Sequence, residues 1–75
     1  MGVPRKPKLR QILGANVRRE RTTRSWAQEE LAHQAHLSQT YISQLESGQR
    51  AVSVDAIERL AGAFDIDPSL LLRKA

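Results

Sequence analysis

The 75-residue chain has no cysteine, so neither disulfide staples nor thiolate metal sites can support it. It has no apolar run near the ~20 residues of a membrane span and no leader-like segment, so the expectation is a soluble, cytoplasmic protein without a membrane partner. There is no Gly-rich phosphate loop. No serine or threonine has a histidine and a carboxylate arranged to orient it, which leaves nucleophilic catalysis without footing. Glu30, His33 and His36 have a Glu-x-x-His-x-x-His spacing. At ~100° per residue, however, the three spread over a helix end and a turn, and no second ligand cluster exists. No metal, cofactor, small-molecule ligand or enzymatic activity is expected. β-strand signals and internal repeats are also missing, leaving an all-α fold. This length allows one small domain with little surplus stability, so oligomerisation is a natural supplement.

The charge that is present is unevenly placed. Residues 1–24 carry eight Lys/Arg against Glu20 alone, a balance of +7, whereas residues 25–75 sum to −3. The asymmetry favours an anionic partner, and nucleic acid over membrane, because no helix pairs a large apolar face with a lysine-rich one. Met1 to Lys8, with Pro4 and Pro7, has nothing to bury and reads as a mobile basic arm ahead of a domain spanning residues 9–75.

Five helices are expected. Leu9, Ile12, Leu13 and Val17 recur at helical spacing, giving a first helix to about Arg21 that frays through Thr22 and Thr23. Gly14 within it costs roughly 1 kcal/mol relative to alanine, which suggests close packing against a neighbour. A second helix runs from Gln28 to Ala35 with Gln28, Leu31, Ala32 and Ala35 on one face, and small Ala32 lets the next helix cross closely. Trp26 precedes the expected N-cap Ala27, where a hydrophobic staple would fold it onto the first apolar turn. Ser53 caps a fourth helix through Val54, Ile57, Leu60, Ala61 and Phe64. Asp67 and Pro68 open a short fifth helix whose Leu70, Leu71 and Leu72 cannot all face one core.

The third helix carries the functional signal. Started at Ser38, it places Tyr41, Ile42 and Leu45 on one side and Gln39, Thr40, Ser43, Gln44 and Ser47 on the other. A surface helix normally shows Lys, Glu and Arg there. Uncharged amides and hydroxyls can pair with adenine or touch a thymine methyl without the repulsion a carboxylate feels from phosphate.

Leu13-Gly14, Val17-Arg18, Arg21, the Gln28–Ala32 run QEELA, Ser38, Tyr41-Ile42-Ser43, Leu45-Glu46, Gly48, Ala61, Phe64, Ile66 and Leu71 together resemble the Cro and lambdoid-phage-repressor type of helix-turn-helix domain, over roughly residues 13–72. The stretches LSQTYISQLESGQR and VSVDAI are also similar to the small, dimeric controller proteins of restriction-modification systems. The resemblance implies a helix-turn-helix at about 28–47 with Gln39 to Ser47 as recognition helix. Gln39, Thr40, Ser43 and Gln44 then face bases, Gln28 clamps a phosphate, and Arg21 and Glu46 form an internal ion pair. Arg18 and Ser47 are further candidate phosphate contacts. Arg50 is either another or ordinary surface charge, and Tyr41 either donates to phosphate or covers the core. Departures from the family pattern are Ala27 in place of a Ser or Thr cap, His36 and Asp65 at turn positions usually held by glycine, and Glu20 where an apolar residue is usual.

The expected function is sequence-specific DNA binding for transcription regulation by a homodimer on a palindromic operator, with Pro68, Leu70 and Leu72 at the two-fold interface. The alternative is a protein-interaction module of the same fold, an antitoxin or bridging cofactor, which an exposed apolar patch away from the third helix would favour.

Overall fold

The computed structural model describes residues 8–74. The expected arm therefore lies outside the described residues except for Lys8, whose carbonyl accepts the amides of Gln11 and Ile12 and opens the first helix. Four α-helices follow among the described residues: α1 (Leu9–Thr23), α2 (Gln28–Ala35), α3 (Gln39–Glu46) and α4 (Val54–Phe64), then a 3₁₀ segment Pro68–Leu71. No strand occurs among them, and no helix is long and apolar enough to cross a membrane.

Side-chain caps begin three of these elements. The Ser38 hydroxyl accepts from the Tyr41 amide at 3.0 Å, the Ser53 hydroxyl from Ala56 at 3.1 Å, and the Asp67 carboxylate from Ser69 at 2.9 Å. Ala27 opens α2 with no side-chain cap. Each α-helix closes through one left-handed residue, respectively Ser25, His36, Gly48 and Asp65. The amide of the following residue, at Trp26, Leu37, Gln49 and Ile66, reaches back five residues to a carbonyl in the last turn. After Ser25, His36 and Asp65 that next residue is apolar and packs on the core. Only Gly48 adopts positive φ without steric cost.

The core joins Leu13 and Val17 of α1, Leu31, Ala32 and Ala35 of α2, Ile42 and Leu45 of α3, Leu60, Ala61 and Phe64 of α4, and Leu71. Gly14 is where α1 crosses α3. A Cβ there would meet the Leu45 carbonyl oxygen and lie 2.8 Å from that of Glu46. Gly14→Ala is expected to separate the two helices and destabilise the domain by about 1–3 kcal/mol despite alanine's better helix propensity, as read by urea denaturation. Unchanged or raised stability would refute this close approach.

Several expectations are corrected. Leu9 is 54% exposed and Val54 73% exposed, so the inner faces of α1 and α4 begin later, with Ala56 on the buried side of α4. Trp26, which packs against the core that includes Leu31, also reaches α4, stacking on Phe64 with centroids 5.9 Å apart, while the Arg24 guanidinium lies 4.8 Å from the Phe64 ring. The expected fifth α-helix is the 3₁₀ segment, leaving four α-helices rather than five among the described residues. Asn16 supplies the physical reason: buried in α1, it donates from Nδ2 to the carbonyls of Leu71 at 2.8 Å and Arg73 at 2.7 Å. Those carbonyls are satisfied by a side chain instead of a further helical turn. Of the three leucines only Leu71 is buried; Leu70 and Leu72 are each 37% exposed.

Candidate nucleic-acid interface

Burial of Ile42 and Leu45 fixes the rotation of α3 and turns its polar side outward. Gln39, Thr40 and Ser43 are exposed and Gln44 is half-buried. With Gln28 from the first turn of α2 these four line one open recess of about 450 Å³. The structure thus brings all four expected base readers and the expected phosphate clamp onto a single surface. Arg18 and Ser47 line a neighbouring recess between α1 and the end of α3, together with Gln11, Arg19 and Gly48.

Glu46 ties these surfaces together from beneath. Arg21 grips its carboxylate bidentately, Nε to Oε2 at 2.6 Å and Nη2 to Oε1 at 3.0 Å, and donates from Nη1 to the Trp26 carbonyl at 2.7 Å. The expected ion pair is therefore present and bridges α1 to α3. Gln28 Nε2 donates to the same Oε1 at 3.1 Å, and Arg18 Nε lies 3.5 Å away. Burial pushes the Glu46 carboxyl up, but the hydrogen bonds from Arg21 and Gln28 and the charges of Arg21 and Arg18 outweigh it, holding the group below the usual glutamate range. The hydrogen bond to Glu46 in turn raises the Arg21 guanidinium. Gln28 Nε2 has a second N–H beyond the one given to Glu46, and the Arg18 side chain is 60% exposed beside the same carboxylate.

Around the turn after α3, the Arg50 guanidinium lies 4.4 Å from the centre of the Tyr41 ring and donates from Nη1 to Gln44 Oε1. The Tyr41 hydroxyl accepts the Ser53 amide at 3.4 Å. Ser47 Oγ donates to the Gln44 carbonyl at 2.9 Å. Glu30, from the Glu30, His33 and His36 spacing, accepts a hydrogen bond from Gln34 at 2.8 Å.

A helix-turn-helix family model matches residues 17–71. The chain belongs to the helix-turn-helix family. Control protein C.BamHI of Bacillus amyloliquefaciens is 42% identical over 65 residues, covering 85% of this chain and 80% of that one. Among solved structures, the hypothetical transcription factor NHTF from Neisseria superposes with a TM-score of 0.87 at 34% identity, covering 99% of this chain and 85% of its own. The restriction-modification controller protein C.AhdI from Aeromonas hydrophila gives 0.80 at 39%, covering 83% and 94%. The chain is accordingly a DNA-binding transcriptional regulator of the helix-turn-helix class.

Within this helix-turn-helix domain, periodicity pointed to neither Asn16 nor Arg24. Arg24 binds the Glu20 carboxylate at 2.9 Å and the Phe64 carbonyl at 2.7 Å, joining the ends of α1 and α4. Glu20, the departure from the apolar family pattern, is thereby accounted for. Its spacing four residues before Arg24 was the available signal.

Proposed function

We propose that this regulator binds a palindromic operator as a homodimer, each copy laying α3 in the major groove. The observation that carries the reading is the shared recess: Gln39, Thr40, Ser43 and Gln44 present amides and hydroxyls on a helix rigidly seated by its buried face. These residues read base edges. Gln28, Arg18, Ser47 and Tyr41 position the phosphates, with the charge of Arg50 beside them. Pro68, Leu70 and Leu72 form the two-fold interface: the 3₁₀ segment packs on α4 and α1 and leaves Leu70 and Leu72 partly exposed. The two copies of α3 would then lie about 34 Å apart, one turn of DNA. The exposed leucines, which as a patch would otherwise suit a protein-interaction module, are assigned to this second copy. Such a protein works in the cytoplasm, at the nucleoid.

Fluorescence anisotropy with duplex DNA over a range of salt tests the reading. The log-log slope should fall by roughly 0.9 for each phosphate neutralised, and a flat response would exclude DNA as the ligand. Sedimentation should show a dimer at micromolar concentration, and Leu70→Glu should give a monomer that binds half-sites weakly. A monomeric unmodified chain, or a dimeric Leu70→Glu, would refute the assigned interface.

A further inference from the structure

Gln44 is not a free amide in this structure. A guanidinium has only donors, so the Gln44 atom that Arg50 Nη1 meets must be the side-chain oxygen. Arg50 is held in place from two sides. Its guanidinium covers the Tyr41 ring, and Tyr41 is pinned through its hydroxyl to the amide of Ser53 at the start of α4. The Gln49 amide also returns to the Gln44 main-chain carbonyl at 3.0 Å, anchoring the turn that carries Arg50.

Two N–H groups on Nε2 remain for Gln44 to offer. Bidentate recognition of adenine needs one amide donor for N7 and the amide acceptor for the N6 amino group, whereas guanine presents two acceptors, N7 and O6, on the same edge. The second lone pair of Gln44 Oε1 could take the adenine amino group only beside the Arg50 cation, which repels that group's positively polarised hydrogens. The same cation favours the paired acceptors of guanine. We propose that Gln44 and Arg50 act as one donor-only reading unit that selects guanine over adenine at the base pair Gln44 meets. The proposal rests on the DNA reading above and reverses the adenine preference an unengaged glutamine would show.

Selection of bound sequences from a randomised duplex pool, followed by competition binding, tests it with the full chain, Gln44→Ala, Arg50→Ala and the double variant. Circular dichroism checks that each folds. The Gln44 position is the one per half-site whose preference Gln44→Ala abolishes. The unmodified chain should favour guanine there by roughly tenfold, within the range of a good bidentate pair. Arg50→Ala should shift that position toward adenine. In the Gln44→Ala background, removing Arg50 should lower affinity without creating any preference there. Adenine at that position in the unmodified chain would overturn the proposal. So would an Arg50→Ala that keeps guanine and weakens all sequences equally, since Arg50 would then be a phosphate contact. Selection in which Gln44→Ala changes no position also overturns it and leaves the DNA reading standing. A chain that selects no sequence at all overturns both.

Discussion

Glu46→Ala is expected to destabilise the domain by about 3–5 kcal/mol, because it leaves the Arg21 guanidinium without its partner at the α1–α3 junction. A domain of this size has a total stability of the same order, so the variant should be largely unfolded or close to it. Glu46→Gln keeps an acceptor for Arg21 and should lose less. The pH dependence has a definite sign. The Glu46 carboxyl is depressed in the folded chain, so its contribution is full above the ordinary glutamate value of about 4.3 and is lost as pH falls through the lower folded value. Asp67 is also depressed, by the Ser69 amide, and acts in the same direction through its own acid range. Glu46→Gln should therefore remove only the Glu46 share of the acid sensitivity. Urea denaturation from neutral to acid pH measures both effects. Equal acid sensitivity in the two chains would contradict the assigned role.

Asn16→Asp should be comparably severe although the side chains have nearly the same shape. It replaces an amide that donates to the Leu71 and Arg73 carbonyls with a buried carboxylate facing two acceptors. The expected loss at neutral pH is on the order of 3–5 kcal/mol, against about 1–3 kcal/mol for Asn16→Ala. The pH response is opposite to that of Glu46. Burial raises the introduced carboxyl, and protonation restores one donor, so acid should relieve the defect. Because Asn16 holds the segment carrying Pro68, Leu70 and Leu72, both variants should also dimerise less tightly in sedimentation. A stable, dimeric Asn16→Asp would show that this clamp is dispensable.

The α-helices were legible where apolar spacing coincided with a capping side chain, at Ser38 and Ser53, whereas after the equally legible cap Asp67 the chain forms a 3₁₀ segment in place of the expected fifth α-helix. They were less legible at their ends. Gly48 announces positive φ, and the family pattern marks His36 and Asp65, but Ser25 carries no sequence signal for its left-handed turn, which directly precedes Trp26 packed on the core. Leu9 and Val54 satisfied the helical rhythm and still face solvent, since periodicity gives the direction of a face but not how far along the helix neighbours cover it. The polar side of α3 followed directly from Ile42 and Leu45. What spacing could not supply was how those polar groups bind one another. Gln28 meeting Glu46 across 18 residues depends on helix packing, and Gln44 meeting Arg50 depends on the path of a turn.

Whether α3 reads sequence is measured most directly by the affinity ratio between a selected operator and an unrelated duplex of equal length at one salt concentration. The unmodified chain should prefer the operator by roughly a thousandfold or more. Gln39→Ala and Gln44→Ala should each reduce that ratio by roughly tenfold, through operator affinity alone. Gln28→Ala should weaken both duplexes about equally. A full ratio in both α3 variants, with native circular dichroism, would contradict sequence reading by α3.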